Sequence, residues 1–276
     1  MPTAAVDEIK TVVLVGAGKM GGAMLQGWIR MGLDPGRITV LEPDPGPEIV
    51  ALASRGLTLN PARAEPATLI VLAVKPQAAD QVVPGLVPWV GPDTLVASIM
   101  AGRTLRGIER VLPQATAVVR AMPNLPAAIG RGITVAVPNA AVTPSQRALI
   151  DRLLSAIGAV EWVAAEALLD AVTAVSGSGP AYVFLLAELL ARAGTAAGLP
   201  KDLATRLARA TIAGSGELLG QSPLAPETLR HNVTSPGGTT AAALAVLMGE
   251  EGLGGLMTRA VAAATRRAAE LADEPP

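Results

Sequence analysis

The sequence predicts an α/β chain in which a mostly parallel sheet domain, residues 1–164, is followed by an all-α domain, residues 165–276. Two observations predict this class. Short runs rich in β-branched residues alternate with helical stretches up to about residue 165, which is typical of βαβ units. From Asp170 to the end no strand is predicted, and apolar residues recur at helical spacing. A length of 276 residues also suits two domains better than one.

Six strands are predicted in the first domain. Each is a short, almost continuous apolar run, so both faces of the sheet are expected to be buried. In chain order the runs are TVVLV, ITVL, LIVLAV, TLVASI, TAVVRA and ITVAV.

The second domain contains a helix that is apolar nearly all round. Apolar residues cover several of its sides from Tyr182 to Ala193, and Glu188 with Arg192 forms its main polar pair. Such a helix is normally buried. A domain of about 110 residues buries it most easily when a second subunit covers part of it. The sequence therefore predicts an all-α dimerisation domain and a homo-oligomer.

Composition argues against nucleic-acid and metal partners. The net charge is −1 and aromatic residues make up 2%, so a phosphate backbone would meet no basic excess and bases would find few stacking surfaces. The chain has no Cys and one His, which excludes Cys/His zinc sites, and no metal is predicted.

A cytoplasmic protein with no membrane span is expected. The longest apolar run, AYVFLLAELL, is broken by Glu188 and falls short of the ~20 residues that a spanning helix needs. The N-terminus carries Asp7 and Glu8, unlike a secretory signal.

A glycine-rich loop follows the first predicted strand. Gly16, Gly18 and Gly21 form GxGxxG between that strand and a helix, a placement typical of a Rossmann-like dinucleotide site. The alternative is a plain strand-to-helix turn. Glu42 follows the second strand and could bind a ribose 2′-hydroxyl, favouring NAD over NADP, or could be a solvated loop acid.

Two further loops end strands at the edge where open α/β sheets bind ligands. In LAVKPQ, Lys75 precedes a proline, which favours an extended backbone; the lysine could project into that crevice or lie on an ordinary surface loop. In RAMPNLP, Asn124 could bind a carboxamide or ribose, or could form a turn with its own backbone.

The stretch VTSPGGTT, Val233–Thr240, is poorly chosen for a helix interior. Ser235 is predicted as an N-cap with Pro236 at the first helical position. Gly237 and Gly238 each cost roughly 1 kcal/mol relative to alanine within a helix. The stretch is either a tight turn between helices or bare backbone whose N–H groups bind an anion. SGSGPAYVF, from Ser176, is a second glycine-rich helix entry.

Groups suited to proton transfer are few. The nearby His231 is predicted to be a solvated residue at a helix end. Without a convincing general base, oxidation of an alcohol is poorly supported. Reduction of an iminium needs no such base, because a protonated C=N bond is already electrophilic and the protein has mainly to orient the reactants.

These motifs resemble the Δ1-pyrroline-5-carboxylate reductase family over nearly the whole chain. The segments that carry the resemblance are GAGKMG, LAVKPQ, RAMPNLPAAIGRGIT, DAVTAVSGSGPAYVF and VTSPGGTTAAAL. The resemblance implies reduction of 1-pyrroline-5-carboxylate to L-proline, the last step of proline biosynthesis, with NADPH or NADH. It also implies a helical domain that interlocks with a partner subunit, with dimers often gathered into decamers.

The resemblance also implies roles for individual residues. Ser235, Gly237, Gly238 and Thr239 would bind the substrate carboxylate, and Thr240 would sit nearest the imine nitrogen as the catalytic hydrogen-bond partner. The implied cofactor-binding residues are Gly16, Ala17, Gly18, Lys19, Met20, Gly21, Asn60, Ala73, Val74, Lys75 and Asn124.

Three positions depart from the family pattern. Leu125 replaces a usual threonine, Glu42 disturbs any preference for NADPH, and His231 falls at a variable position. Two alternatives stay open: a β-hydroxyacid dehydrogenase and a dinucleotide sensor without turnover. The first needs a catalytic lysine in the second domain, yet no lysine lies between Lys75 and Lys201. The second has no use for a carboxylate-binding loop.

Overall fold

A computed structural model of the chain describes residues 9–273. Within this range, residues 9–177 with 265–273 form one compact unit and residues 178–264 form another. The first unit thus ends at Gly177, and the end of the last helix, from Thr265, also belongs to it. The domain boundary between residues 164 and 165 stays a prediction. Asp7 and Glu8, used in the sequence argument on localisation, lie outside the described residues.

The first unit is built on an eight-stranded sheet with the order β3-β2-β1-β4-β5-β6-β7-β8. All pairings are parallel except that of β6 with β7. The strands are β1 Val12–Val15, β2 Ile38–Leu41, β3 Thr58–Leu59, β4 Ala67–Leu72, β5 Val90–Ser98, β6 Ala117–Met122, β7 Gly132–Pro138 and β8 Gly158–Trp162.

All six predicted strands are confirmed, and so is the mostly parallel sheet. The sequence missed β3 and β8. β3 makes only two residue pairs with β2, at Thr58 and Leu59. β8 alternates between half-buried and exposed residues and carries Glu161, so it lacks the apolar run by which the other strands were found.

Helices cover both faces of the sheet and make up the second unit. In the described residues, short 3₁₀ turns and one π turn, Thr173–Gly177, add to them. The α-helices are α1 Lys19–Arg30, α2 Pro47–Ala53, α3 Ala79–Val82, α4 Leu105–Glu109, α5 Pro144–Ser155, α6 Leu168–Val172, α7 Gly179–Ala196, α8 Lys201–Gln221, α9 Pro226–Asn232, α10 Thr239–Leu247 and α11 Leu253–Asp273.

Two apolar cores sandwich the sheet, as its continuous apolar strands predict. The larger core contains Trp28 of α1, which is fully buried and donates its indole N–H to the carbonyl of Leu153 at 3.0 Å. Gly27 beside it lets α1 approach α5, since a β-carbon there would lie 3.0 Å from the Ala156 carbonyl oxygen. These contacts fix α1, and therefore its N-terminus, against the sheet.

The second unit leaves most of its apolar surface uncovered in a single chain. The packed contact is between α7 and α8, where Gly194 faces Ala204, and only Ala204 and Ala208 are fully buried within residues 178–264. On α7, Phe184 and Leu185 are 60% and 52% exposed. The sequence predicts this helix to be buried on every side, but within one chain part of its apolar surface is exposed to solvent.

The apolar helical stretch is longer than the sequence argument assumed. α6, the π turn and α7 run almost continuously over Leu168–Ala196, which among residues 9–273 is the one stretch long and apolar enough to cross a membrane by length and composition. The argument from length against a span is therefore wrong, because the helix extends well beyond AYVFLLAELL. Length and composition alone are weak evidence for a span, and its absence stays a prediction.

Trp28 should be central to the stability of the first unit. Replacing Trp28 by Ala should lower the free energy of unfolding by about 3–5 kcal/mol, because the change leaves a cavity in a closely packed core and removes the bond to Leu153. Denaturant unfolding followed by far-UV circular dichroism measures this. Val50→Ala, at a half-exposed site on α2, is the matched control and should change stability by under about 0.5 kcal/mol. Equal effects of the two changes would show that Trp28 does not hold this core.

Candidate active site

The first candidate site lies where the order of the sheet reverses. β2 and β4 flank β1 on opposite sides, so the loops that leave β1 and β4 diverge at the carboxyl edge, which is where open α/β sheets bind ligands. Gly16 donates its N–H to the Leu41 carbonyl at 2.9 Å, and Ala73 donates to the Val15 carbonyl at 2.8 Å. The ends of three strands are thus tied together around Gly16.

Each of the three glycines of GxGxxG is explained by a different feature of its surroundings. Gly16 has φ = +88°, and a β-carbon there would lie 2.8 Å from the Ala73 carbonyl oxygen. A β-carbon on Gly21 would overlap the carbonyl oxygen of Gly16. Gly18 differs, because it has an ordinary φ of −64° and nothing lies within 4 Å of its missing side chain. The fold itself therefore does not require glycine at position 18. The physical reason for a glycine there is that it leaves room for a ligand to approach the backbone.

The start of α1 offers hydrogen-bond donors beside that open space. Gly18 is the N-cap and supplies no side-chain bond, so the N–H groups of the first turn, beginning at Lys19, lack a side-chain cap. A cavity of about 420 Å³ runs past Ala17, Gly18 and Lys19 toward Gly46 at the start of α2. Free donors, the positive end of a helix dipole and an uncrowded glycine together fit the pyrophosphate of a dinucleotide.

Glu42 is held against this loop rather than left as a solvated acid. Its carboxylate accepts from the Ala17 N–H at 2.7 Å and from the Asp44 N–H at 3.2 Å. Asn60 accepts the Glu42 N–H at 2.9 Å and donates to the Glu42 carbonyl at 2.8 Å. The acid at the end of β2 is therefore fixed at its backbone by Asn60 and at its side chain by the glycine loop.

The loop after β4 has the predicted backbone. Lys75 is exposed and extended, with φ = −63° and ψ = 140°, and the chain then enters a 3₁₀ turn at Pro76. Arg103, which the sequence did not single out, supports this loop. Its guanidinium donates to the Pro76 carbonyl at 2.7 Å and pairs with both carboxylate oxygens of Asp80, at 2.6 and 3.0 Å. No local pattern in the sequence predicts this pairing, because Arg103 lies 23 residues along the chain from Asp80, which belongs to α3.

The Asn124 carbonyl starts a turn by accepting the Ala127 N–H at 3.0 Å, but the side chain does not close a turn onto its own backbone, so that alternative is wrong. Its side chain accepts the Ile133 N–H at 2.9 Å and donates to the Ser176 carbonyl at 3.2 Å. Asn124 thus ties the start of β7 to the π turn that ends at Gly177. A β-carbon on Gly177 would lie 2.8 Å from the Met122 methyl group, so the π turn packs closely on the end of β6. π turns occur often at functional sites.

A partly buried ion pair that the sequence missed lies near this edge. Arg120 on β6 is 6% exposed and pairs with Glu166 at 2.8 Å, and the same carboxylate oxygen accepts the Leu105 N–H at 2.7 Å. The pair joins the sheet to the start of α4 and to the segment before α6. Among residues 9–273, no three acidic or histidine side chains are grouped in a way that could hold a metal ion.

The second candidate site, in the second unit, is the segment VTSPGGTT. The predicted N-cap at Ser235 is wrong: α10 begins at Thr239 and its N-cap is Gly238. Ser235 instead starts a tight turn that the Gly238 N–H closes onto its carbonyl at 3.0 Å. Pro236 and Gly237, with φ = +70°, occupy the two central positions. Proline followed by a left-handed glycine is the signature of a type II turn, which displaces the helix start by several residues.

The turn also leaves an uncapped helix start. Gly238 provides no side-chain bond to α10, so the first N–H groups, from Thr239, lack a side-chain partner in the described structure. Nothing lies within 4 Å of the missing side chain of Gly237, and Thr240, in the first turn of α10, is half-buried. The two interpretations of this stretch therefore hold together: it is a tight turn, and it exposes N–H groups suited to an anion.

Two further predictions concern the helix entry at Ser178 and the exposure of His231. Ser178 precedes α7 and Pro180 lies in its first turn, as predicted, but the π turn and α6 come before them, so this entry continues a preceding helix. His231 is exposed in the last turn of α9, as predicted for a solvated helix end.

A glycine loop of dinucleotide geometry at a sheet reversal, followed along the chain by a helical unit, defines a dinucleotide-binding protein of the Rossmann type. Two family models match the chain: pyrroline-5-carboxylate reductase dimerisation over residues 166–271, and NADP oxidoreductase, coenzyme F420-dependent, over residues 11–102. A pyrroline-5-carboxylate reductase of Pseudomonas aeruginosa is 38% identical over 95% of this chain and 97% of its own. The chain belongs to the pyrroline-5-carboxylate reductase family.

Solved structures agree with this assignment. A pyrroline-5-carboxylate reductase from Coxiella burnetii is 34% identical, with a TM-score of 0.89 over 96% of this chain and 100% of that one. The Plasmodium falciparum pyrroline carboxylate reductase with NADP bound is 26% identical, with a TM-score of 0.78 over 95% of this chain and 98% of that one. The predicted family and fold class are confirmed.

Substitutions in the glycine loop should separate ligand access from folding. Gly18→Ala should leave stability nearly unchanged, since its β-carbon meets open space, but should weaken nucleotide binding about tenfold or more by crowding the phosphate. Gly21→Ala should destabilise the protein by more than about 1 kcal/mol, because its β-carbon meets the Gly16 carbonyl. Thermal unfolding and calorimetric titration with nucleotide measure the two effects.

Gly85→Ala is the matched control, because position 85 also has free space but lies outside the loop. It should change neither quantity. Unchanged nucleotide affinity in Gly18→Ala would contradict the placement of the pyrophosphate.

Proposed function

We infer that this chain reduces 1-pyrroline-5-carboxylate to L-proline with a hydride from NAD(P)H, the last step of proline biosynthesis. The observation that carries the inference is the similarity to pyrroline-5-carboxylate reductases over nearly the full length of both chains. The chain is an NAD(P)H-dependent oxidoreductase acting on a C=N bond. The nucleotide-binding geometry of the first unit supports the same conclusion.

We propose that the nucleotide binds at the carboxyl edge of β1 and β4. Gly18 and the first turn of α1 leave room and donors for the pyrophosphate. When bound, the reduced nicotinamide supplies the hydride. Asn60 would position Glu42 beside the adenosine ribose through its two hydrogen bonds to the Glu42 backbone. Asn124 would position the backbone around the nicotinamide through its bonds to Ile133 and Ser176. The proposed set is Gly16, Ala17, Gly18, Lys19, Met20, Gly21, Asn60, Ala73, Val74, Lys75 and Asn124.

We propose that the start of α10 binds the substrate carboxylate. The type II turn exposes Gly237 and leaves the N–H groups from Thr239 without a side-chain cap. An anion at such a helix start gains about 0.3–1 kcal/mol from the dipole, in addition to its hydrogen bonds. Ser235, Gly237, Gly238 and Thr239 would contribute N–H or hydroxyl donors.

Thr240 is proposed as the catalytic residue. It follows the carboxylate-binding residues in the first turn of α10 and is half-buried, so its hydroxyl could accept a hydrogen bond from the protonated imine nitrogen. The hydride adds to C5 of the ring, the C=N π electrons pass to nitrogen, and the positive charge is neutralised, giving a secondary amine. No side chain has to remove a proton, so the residues contribute mainly alignment of the reactants.

Self-association accompanies this function. The match to the family's dimerisation domain covers the helices whose apolar faces are exposed in one chain, and a second copy would cover them. We propose that the protein is a homodimer, with a decamer as the larger assembly. A cytoplasmic location without membrane or nucleic-acid partners is also proposed, supported by the lack of a basic excess and by the small-molecule chemistry.

Initial rates with DL-pyrroline-5-carboxylate, followed as loss of reduced-nicotinamide absorbance, test the reaction. NADH and NADPH are compared in parallel. Turnover with either nucleotide is the expected result. A folded protein that binds nucleotide but shows no turnover with either would overturn the function and favour a dinucleotide sensor.

Thr240→Ala tests the catalytic assignment. Loss of a transition-state hydrogen bond of roughly 1.5–3 kcal/mol should lower kcat about 10- to 100-fold while nucleotide affinity is retained. Thr258→Ala is the matched control, since it removes a hydroxyl that bonds within α11 to the Gly254 carbonyl, and kcat should not change. Full turnover in Thr240→Ala would remove Thr240 from the mechanism.

A further inference from the structure

We propose that Glu42 makes this reductase select NADH over NADPH. The inference rests on the proposed function for the identity of the cofactor, and it concerns only the adenosine end of the nucleotide. In Rossmann-type folds, an acid at the end of the second strand accepts a hydrogen bond from the ribose 2′-hydroxyl of NAD, the position where NADP carries a phosphate.

The carboxylate of Glu42 occupies that position in the sequence and the fold. Glu42 directly follows β2, and its Oε2 lies 2.7 Å from the N–H of Ala17, between the first two glycines of the loop. Its Oε1 accepts the Asp44 N–H at 3.2 Å. These two donors orient the carboxylate, and each oxygen keeps further acceptor capacity for a ribose hydroxyl.

Asn60 prevents the acid from moving aside easily. Its amide bonds both the N–H and the carbonyl of Glu42, at 2.9 and 2.8 Å, which fixes the backbone that carries the carboxylate. Asn60 itself has φ = +45°, an uncommon conformation for a residue other than glycine. The surrounding bonds offset the cost of that conformation. A 2′-phosphate would therefore meet an anchored acid rather than one free to turn toward solvent.

The charge of the neighbouring segment points the same way. Residues 42–54 contain Glu42, Asp44 and Glu48, and the first cation after them is Arg55, beyond the end of α2. A phosphate monoester carries about −1.5 to −2 charges at neutral pH and is usually bound by an Arg fork. Arg37 directly precedes β2, at the opposite end of the strand from Glu42, and it donates to the Ile9 carbonyl at 2.9 Å. The cations on the adjoining cavity are Lys19, at the start of α1, and Arg30, at its end.

Lys19 would not reverse the preference. It begins the helix whose N-terminus is assigned to the pyrophosphate, a group that NADH and NADPH share. Its attraction therefore adds to the binding of both nucleotides, whereas the repulsion from Glu42 opposes only the 2′-phosphate. A relative from Plasmodium falciparum was solved with NADP bound, so a preference for NADH in this chain would be a difference between the two proteins.

Binding measurements on the full-length protein test the proposal without turnover. Calorimetric titration gives Kd for NADH and for NADPH with the wild type, with Glu42→Gln and with Glu48→Gln. The wild type should bind NADH more tightly. Glu42→Gln should lower the ratio of Kd for NADPH to Kd for NADH about tenfold or more, because it removes the charge while keeping the shape and an oxygen for the Ala17 N–H.

Glu48→Gln is the matched control. It removes an exposed acid that lines the adjoining cavity, which Glu42 does not line, and it should change the ratio less than Glu42→Gln does. A wild type that binds NADPH more tightly than NADH would overturn the proposal, whatever the folding of the variants. So would a ratio unchanged in a folded Glu42→Gln. Either result leaves the reductase assignment intact, provided that pyrroline-5-carboxylate is still turned over.

Discussion

The first unit depends on the close backbone approach at Gly16. The loop that leaves β1 must pass between the ends of β2 and β4, so its N–H bonds to Leu41 while Ala73 bonds back to Val15. α1 can then start only if Gly21 has no side chain against the Gly16 carbonyl. One steric constraint thus sets the position of the helix start, the direction of its dipole and the distance of the β4 loop from it. The burial of Trp28 fixes the other end of the same helix.

The sequence predicted the elements whose signal is local. The six apolar strands, the glycine loop and the change to helices at about residue 166 all depend on residues close together in the chain. The links that support the site were not predicted. Arg103 with Asp80 and Arg120 with Glu166 join residues far apart in the chain, and a single charged residue carries no sequence pattern that identifies its partner.

The start of α10 shows a subtler limit of sequence-based prediction. Ser-Pro is a common way to begin a helix, and the local rules placed the N-cap at Ser235. Pro-Gly is equally a type II turn, and the turn prevailed because Gly237 can adopt φ = +70°. Both outcomes use the same residues, so only the observed backbone distinguishes them. The choice matters chemically, since it replaces a hydroxyl cap by a bare glycine and leaves the helix donors available.

Both proposed sites thus use an uncapped helix start to bind an anion, with glycine as the N-cap: Gly18 before α1 and Gly238 before α10. This repetition fits a reaction that asks for little acid–base chemistry. When the substrate already carries the positive charge that attracts a hydride, a strong base near it would be a disadvantage, because deprotonating the imine would remove its electrophilicity. Neutral N–H and hydroxyl groups bind the anionic ends of both reactants without competing for that proton. A chain with one histidine can therefore catalyse this reduction chiefly through the geometry of its backbone.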